Sequence, residues 1–427
     1  MSTKKPIIYI PGLPSLSSDD ITLYNRIHAA RIDLVTQLSA AGYLVEDIDG
    51  QRSWLKNMMQ HAEHSNAFLF PAMTSLPEGH PRFQAEAAQR WFEFFSLVTG
   101  VHIGNKEKYG EEGIAKPCVI MDPDQQWEPA ILLLNDLREK GMFSSMVEDI
   151  VHVVRSTDNA SAVHALSSAL TQGKGKFRRD VPTHYPEDYV FESFRKPMSR
   201  HPFGVALFGS ASTAEPSYKQ GVAELCRLAG MRGWRLTTGA GRYGCMGAAD
   251  EGFHQGKQLF HQAYPDAPFK PAHVGVSTQA ILRLEGPPDE LDQLIITNHI
   301  YDRMEAMIRG QKASEPTQRA RDASKVFFIA PGGTGTLHEF ATLMQLATNG
   351  SVMKDRKIIV LDFPSHLNPK EGFWKLLIST GKKLGFASSF EVASTPEEAI
   401  SKADEGYKEW LAIRSEYAQL PHPILNP

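Results

Sequence analysis

The sequence predicts an α/β protein in which a Rossmann-like parallel sheet is preceded by a second, degenerate Rossmann-like α/β domain. Short apolar runs alternate with longer segments of helical periodicity, as in parallel strands joined by crossover helices. Glycine-rich turns follow several of these runs, which is typical of ligand-binding sheets of this class. A length of 427 residues exceeds what one hydrophobic core usually serves, so we expect more than one domain.

In the second half of the chain, strand-like runs lead into turns of small residues. These runs are Val205–Phe208, Trp234–Thr238, Leu294–Thr297 and Val326–Ala330. The first ends at Gly209 and Ser210, and a helical segment follows over Tyr218–Met231. The second opens into the glycine-rich stretch Gly239–Gly247. Because the carboxyl ends of parallel strands meet along one edge of a sheet, we expect a ligand in the crevice there.

The turn after the last of these runs carries the strongest functional signal. It consists of Pro331, Gly332, Gly333, Thr334, Gly335 and Thr336, and a helical pattern begins near Leu337. A strand, a glycine-rich turn and a helix together aim backbone N–H groups and a positive helix end at a phosphate. Glu339 falls about one turn into the helix. The alternative to a phosphate site is a turn that only packs the helix against the strand. An ATPase site is disfavoured, because no Gly-Lys-Ser/Thr sequence follows the glycines.

These residues resemble a known family. Pro331–Glu339 is similar, at every fixed position, to the PGGxGTxxE signature of the LOG (Lonely Guy) family of nucleotide-binding Rossmann-like proteins. Gly244–Gly247 resembles the family's GLMG turn, and Asp302 with Arg303 resembles its arginine site. The family, once mislabelled lysine decarboxylases, includes cytokinin riboside 5′-monophosphate phosphoribohydrolases and nucleotide 5′-monophosphate nucleosidases. The resemblance covers residues 203–405.

The resemblance implies a role for each matching residue. It implies that Arg303 and Glu339 are catalytic, that Gly332, Gly333, Thr334, Gly335 and Thr336 hold a 5′-phosphate, and that Gly209, Ser210, Gly244, Met246 and Gly247 line the same pocket. The implied reaction is hydrolysis of the N-glycosidic bond of a nucleoside 5′-monophosphate to free base and ribose 5-phosphate. A homodimer or larger homo-oligomer is also implied. Base preference, whether purine, pyrimidine or cytokinin-type, stays open.

The chemistry agrees with these residue types. Cleavage of an N-glycosidic bond passes through a ribosyl cation, which a carboxylate can stabilise while it activates water. We therefore assign that role to Glu339 and substrate positioning to Arg303, since an arginine binds a phosphate bidentately. The alternative is a nucleotide-binding sensor or carrier without turnover. Glu339 argues against it, because a pure phosphate binder does not need this carboxylate.

Two features depart from the shorter members of the family. Met304 follows the arginine where many members have lysine, and residues 310–322 form an added polar segment. This segment either caps the site or is a solvated surface loop, and we favour neither.

The first half of the chain repeats some of the pattern of the second. Pro117–Pro123 resembles Lys357–Pro364, and each is followed by a helical run and a Gly-Met/Phe turn. Residues 1–170 are therefore predicted to form a degenerate Rossmann-like domain, although any two α/β units share such features. Its would-be phosphate turn, Pro71–Pro77, contains no glycine, so we predict that the domain is not catalytic. It would act as a built-in packing partner or bind a regulatory nucleotide.

The remaining segments and the composition complete the prediction. Residues 171–202, rich in Gly, Pro and charge, are predicted to be a linker, and residues 406–427 a short helix with an extended tail. A net charge of −4 gives no argument for binding nucleic acid or a membrane. Three cysteines and the absence of a signal-peptide core indicate the cytoplasm. Without HExxH or CxxC we predict no metal and no cofactor, and Cys245 is expected to pack rather than react.

Overall fold

The computed structural model divides the chain into two compact units, residues 1–179 and 180–427. The structure describes residues 6–10, 21–47, 65–70, 83–109, 116–143, 147–172, 185–186, 188–213, 215–310, 323–348, 353 and 355–414. Each unit has its own sheet. The predicted fold class, a Rossmann-like sheet and a second α/β domain, is confirmed.

The first unit is built on a five-stranded parallel sheet in the order β2-β1-β3-β4-β5. Its strands are β1 (Ile7–Ile10), β2 (Leu44–Asp47), β3 (Ala67–Phe70), β4 (Cys118–Met121) and β5 (Val151–Val154). Its helices are α1 (Ile21–Ala40), α2 (Phe83–Tyr109), α3 (Glu128–Glu139) and α4 (Asn159–Gln172). Strands β3 and β4 are buried along their whole length, as expected for strands covered on both faces.

The second unit is built on an eight-stranded sheet in the order β13-β12-β11-β7-β8-β9-β10-β6. Its strands are β6 (Phe194–Arg195), β7 (Gly204–Phe208), β8 (Arg235–Thr238), β9 (Ala272–Thr278), β10 (Gln293–Thr297), β11 (Val326–Ile329), β12 (Lys357–Leu361) and β13 (Glu391–Ala393). Its helices are α5 (Pro216–Met231), α6 (Gly244–Ala263), α7 (Gln279–Glu285), α8 (Ile300–Arg309), α9 (Thr334–Thr348), α10 (Lys375–Lys383) and α11 (Pro396–Ile413). All neighbouring strands are parallel except β6, which pairs antiparallel with β10.

The two sheets share a strand order. Strands β2-β1-β3-β4-β5 of the first unit have the same chain-order pattern as β8-β7-β11-β12-β13 of the second. Strands β4 and β12, which contain the two similar segments Pro117–Pro123 and Lys357–Pro364, occupy the same place in this order. The additional strands of the second unit, β9, β10 and β6, extend its sheet beyond β8.

One detail is repeated after β4 and β12. The buried carboxylate of Asp122 accepts a hydrogen bond from the backbone N–H of Trp127 over 3.0 Å. The carboxylate of Asp362 accepts one from Trp374 N–H over 2.6 Å. Each tryptophan is fully buried and immediately precedes a helix, α3 or α10. The Asp therefore ties the end of its strand to the start of the next helix in both units.

The structure differs from the predicted boundaries in two places. Residues 194–195 form strand β6 on the sheet of the second unit, so this part of the predicted linker 171–202 belongs to the folded unit. Helix α11 continues through residue 405 to Ile413, because its buried residues, Ala399 through Trp410, pack along one side.

The predicted turn Pro71–Pro77 and most of the added segment 310–322 lie outside the described residues. Among the helices that the structure describes, none is long and apolar enough to cross a membrane.

Candidate active site

The turn after β7, at Ser210, contacts both the turn after β11 and the start of α6. The backbone N–H of Ser210 donates to the carbonyl of Pro331 over 3.0 Å, and the Ser210 carbonyl accepts from Cys245 N–H over 2.7 Å. The Ser210 hydroxyl accepts from the N–H groups of Ser212 and Thr213 over 2.9 and 3.0 Å. Ser210 thus holds the ends of β7 and β11 and the start of α6 together through its backbone, while its hydroxyl shapes its own turn.

Glycine is required sterically at two positions of these turns. A β-carbon on Gly332 would overlap the Thr336 side chain and lie 3.0 Å from the Ser210 nitrogen. Gly244 has φ +60°, and a β-carbon there would lie 2.5 Å from the Ser210 carbonyl oxygen. Both glycines therefore let the turns approach each other to within backbone contact.

Gly335, by contrast, faces open space. A β-carbon at this position would meet no described atom within 4 Å, other than its chain neighbours and its own helix. It lies in the first turn of α9, which begins at Thr334, where backbone N–H groups and the helix dipole favour an anion. The fold therefore leaves room at the helix end that the sequence motif predicts to hold a phosphate.

Arg303 and Glu339 form a buried ion pair beside this opening. The Nη1 of Arg303 lies 3.0 Å from Oε1 of Glu339, and each residue is 6% exposed. The Arg303 Nε donates to the carbonyl of Val276, on β9, over 3.0 Å. Gly239, directly after β8, contacts the guanidinium so closely that a β-carbon there would overlap Nη2. The arginine from α8 is therefore held by α9, by β9 and by the turn after β8.

Burial has the largest effect on the pKa of Glu339. Desolvation raises its pKa from 4.5 to about 7, although the charge and hydrogen bond of Arg303 oppose the shift and Glu285 adds to it. A carboxyl group with a pKa near 7 exchanges a proton readily at neutral pH, as a general base or acid must. The site thus contains a carboxylate matched to proton transfer and a fixed positive charge 3.0 Å from it.

Two neighbouring groups are held in their neutral forms. Burial, with a contribution from Arg303, lowers the pKa of His338 to about 3, so this imidazole is uncharged at neutral pH. Burial raises the pKa of the Cys245 thiol to about 12, so almost no thiolate is present. The raised pKa of the Cys245 thiol agrees with the expectation that this residue packs rather than reacts.

The predicted site residues lie on turns that follow the strands of this sheet and near the starts of helices α6, α8 and α9. Contacts link the turns after β7 and β11, the start of α6 and the Arg303–Glu339 pair. Met246 joins them, because its sulfur lies 3.0 Å from the position of a β-carbon on Gly239. Gly247 closes the first turn of α6, where its N–H donates to Tyr243 O over 3.0 Å. Met304 is 1% exposed, so an apolar side chain is buried directly after Arg303.

Sequence reasoning missed two features near the site. Strand β9 was not predicted, although all seven of its residues are buried. Glu285, the last residue of α7, was also missed; its Oε2 lies 2.7 Å from the position of a β-carbon on Gly241. No local motif marks this glutamate, but a search for carboxylates after each strand end would have included it. Among the described residues, no group of three or more His, Cys, Asp or Glu side chains has the arrangement of a metal site.

Comparison with known proteins links part of the chain to an enzyme. No protein-family model matches the chain. Over 178 residues, which is 42% of this chain and 80% of the relative, the sequence is 26% identical to the cytokinin riboside 5′-monophosphate phosphoribohydrolase of Mycobacterium tuberculosis. This distant similarity is consistent with the LOG family resemblance of the motif.

Solved structures also match about half of the chain. The molybdenum cofactor binding protein from the phototrophic bacterium Rippkaea orientalis is 20% identical, with 50% of this chain and 98% of that chain covered and a TM-score of 0.30. The Moco carrier protein from Chlamydomonas reinhardtii is 19% identical, with 50% and 99% covered and a TM-score of 0.31. At these scores the matches support no argument about function.

Proposed function

We propose that this protein is a LOG-family hydrolase that cleaves the N-glycosidic bond of nucleoside 5′-monophosphates to give free base and ribose 5-phosphate. The observation that carries the proposal is the buried pair of Arg303 and Glu339 beside the open, glycine-lined start of α9. The distant similarity to a phosphoribohydrolase over 178 residues supports the same reaction class.

The start of α9 would bind the 5′-phosphate. The backbone around Gly335 offers N–H donors and the positive end of the helix dipole, and its open space would accept the phosphate oxygens. Glu339 lies five residues after Thr334, at about 7.5 Å along the helix axis from a rise of about 1.5 Å per residue. That separation is suited to a ribose placed between the phosphate and the carboxylate.

The reaction then needs two contributions from the protein. The bond between C1′ and the base nitrogen breaks with its electron pair passing to the base, and positive charge develops on the ribose. The ionised Glu339 stabilises that charge and accepts a proton from the water whose oxygen bonds to C1′. The departing base takes up a proton from solvent.

Arg303 would orient both the carboxylate and the substrate. A guanidinium carries five N–H donors, and the bonds to Val276 O and to Glu339 use two of them. The same bonds fix the plane of the group, so a further donor would meet a ribose hydroxyl or phosphate oxygen in a defined direction. Fixed donors lower the barrier because they need no rearrangement during the reaction.

The test is release of free base and ribose 5-phosphate from AMP, GMP, CMP and UMP by the full chain. We expect turnover of at least one nucleotide and its loss in Glu339→Ala, while the corresponding nucleosides, which lack the phosphate, react far more slowly. Binding of nucleotides without release of base would overturn the hydrolase and favour a sensor or carrier. Turnover that persists in Glu339→Ala would refute the role of this carboxylate.

A further inference from the structure

A chain of hydrogen-bonded polar side chains runs from the half-buried Asp250 on α6 through β9 to the end of β8. The Nδ1 of His273 lies 2.9 Å from Oδ1 of Asp250, and its Nε2 lies 2.9 Å from the Thr238 hydroxyl. His273 is 2% exposed and Thr238 is 1% exposed. None of the three touches the Arg303–Glu339 pair directly, and the reaction proposed above does not use them.

The hydrogen bonds of this chain have one consistent direction. In a neutral imidazole one ring nitrogen donates and the other accepts; here Nδ1 of His273 donates to the Asp250 carboxylate, and Nε2 accepts from the Thr238 hydroxyl. The same Thr238 oxygen accepts from the backbone N–H of Ala240 over 3.3 Å. The carboxylate therefore fixes the imidazole, the imidazole fixes the hydroxyl, and the hydroxyl holds the turn that follows β8.

The backbone of His273 is fixed independently. Its N–H donates to Oδ2 of Asp292 over 2.9 Å, and Asp292 is itself paired with Lys257 over 2.6 Å. The ring is thus presented to Asp250 and Thr238 from a rigid strand. Such second contacts are what give a buried histidine one orientation and one tautomer.

The turn that this chain holds is strained and lies against the catalytic arginine. Ala240 has φ +60°, the left-handed region, which costs a residue with a β-carbon about 1 kcal/mol or more. Gly239, between Thr238 and Ala240, is the residue whose backbone packs on Nη2 of Arg303. A relaxed turn would therefore change the surface on which the guanidinium rests.

We propose that Asp250, His273 and Thr238 form a positioning chain that sets the place of the Arg303 guanidinium through the turn Gly239–Ala240. The chain holds this turn in its left-handed conformation, and the turn in turn holds Nη2. The role of Arg303 in turnover rests on the proposed function, whereas the dependence of its position on Thr238 does not. The three residues are positioning residues and do not touch the substrate.

The decisive comparison is Thr238→Val with Thr238→Ser. Valine keeps the shape of threonine but removes the hydroxyl, whereas serine keeps the hydroxyl and removes a methyl group. We expect Thr238→Val to lower kcat/KM about tenfold, a size usual for residues in one hydrogen-bond network, and Thr238→Ser to stay within about twofold of the wild type. Equal losses in both variants would indicate a packing role and overturn the proposal.

A second measurement shows whether the effect passes through Arg303. In the Arg303→Ala background, Thr238→Val should change residual turnover or nucleotide affinity by less than about twofold, because the group that it positions is gone. A loss as large as in the wild-type background would contradict the proposal. If Thr238→Val does not fold, Asp250→Asn replaces it. The amide of the new side chain can donate to Nδ1 of His273, which moves the ring proton to Nε2. We expect a several-fold loss of kcat/KM in this variant.

Failure of this proposal is distinguishable from failure of the hydrolase. If the wild type binds AMP but releases no base, the same comparison is made on the dissociation constant of AMP, and equal values for wild type and Thr238→Val overturn the positioning chain. If no nucleotide binds, a crystal structure of Thr238→Val decides. An unmoved Gly239–Ala240 turn and an unmoved Arg303 guanidinium would refute the proposal whatever the reaction.

Discussion

Both units contain a helix with a buried glutamate that is paired with an arginine, at equivalent places in the sheet order. In the first unit, α2 follows β3 and contains Glu93, which lies 3.0 Å from Arg90. In the second, α9 follows β11 and contains Glu339, which lies 3.0 Å from Arg303. Burial raises the pKa of both carboxyl groups, and the arginine opposes the shift in both.

The pairs differ in where the arginine comes from. Arg90 is three residues from Glu93 on the same helix, so this ion pair forms within α2, and the charge of Arg31 on α1 acts on Glu93 more weakly. Arg303 is 36 residues from Glu339 and belongs to α8, so this pair relates two helices and the strand ends between them. Glu93 also lies about 15 Å from the start of its helix, twice the corresponding separation of Glu339, from a rise of about 1.5 Å per residue.

The comparison shows what converts a buried ion pair into a candidate site. Both glutamates are desolvated and both are paired, so burial and charge do not distinguish them. Position near the helix start and an ion-pair partner from another helix do distinguish them. A carboxylate held between a helix start and a guanidinium from another helix can meet a ligand, whereas Glu93 lies deep along its helix and pairs with an arginine of that same helix.

The largest difference between the two ion pairs is expected when the charge of each glutamate is removed. We expect Glu339→Gln to lower kcat by roughly 10³-fold, within the range of lost acid–base catalysis. Glu93→Gln should leave kcat within about twofold, because it changes a pair that lies outside the site. Base release measured for both variants decides. If Glu93→Gln reduced turnover as strongly as Glu339→Gln, the two pairs would not differ in function as we argue.

The next effect comes from the glycine turns. Gly239→Ala should lower kcat/KM by roughly 10²-fold, because the added β-carbon overlaps Arg303 Nη2 and a displacement of about 1 Å is enough for such a loss.

Gly335→Ala is the matched change at a position with open space. It should keep or slightly raise the stability of the protein, because alanine favours a helix over glycine. It should weaken AMP binding, because only a bound phosphate would meet the new methyl group. Unchanged affinity in Gly335→Ala would argue against phosphate at the start of α9.

The smallest expected effect is the dependence on pH. The pKa of Glu339 is raised from 4.5 to about 7, so the folded protein binds this proton more tightly than the unfolded chain does. Its contribution to stability is complete below about pH 4.5 and is lost as the pH rises through about 7. Turnover moves in the opposite direction, because the carboxylate is the reactive form. We expect kcat/KM to fall about tenfold for each unit below pH 7.

Two measurements separate these trends. The pH profile of kcat/KM should lose its acid limb near pH 7 in Glu339→Gln and keep it in Glu93→Gln. The unfolding free energy of the wild type, relative to Glu339→Gln, should decrease between about pH 5 and about pH 8. An increase over this range would mean that the pKa of Glu339 is lowered in the folded protein, contrary to the effect of its burial.

Much of the fold follows from local patterns in the sequence. Apolar runs such as Val326–Ala330 and the glycine turns after them mark strand ends, because burial and φ angles depend mainly on neighbouring residues. Strand β9 escaped prediction, since Ala272–Thr278 mixes small, polar and apolar residues although every one is buried. Strand β6 escaped as well, because it has only two residues and both are exposed.

The part of the candidate site that is contiguous in the sequence could be predicted from the sequence. The residues Gly332–Glu339 are contiguous, so their chemistry could be read directly. The family resemblance implied that Arg303 and Glu339 serve one site, but their ion pair was not predicted, because it depends on how α8 and α9 pack. The chain from Asp250 through His273 to Thr238 had no signal in the sequence, since it joins three elements that are brought together only in the folded unit.

Strand β6 has a practical consequence for solubility. Its pairing with Gln293 and Leu294 covers the first part of the backbone edge of β10, which would otherwise be the outer strand of this sheet. An uncovered outer strand is a template for pairing with another molecule. A shortened protein that begins at Phe203, where the family resemblance starts, would expose β10 and is expected to aggregate, whereas one that begins before Tyr185 retains this protection.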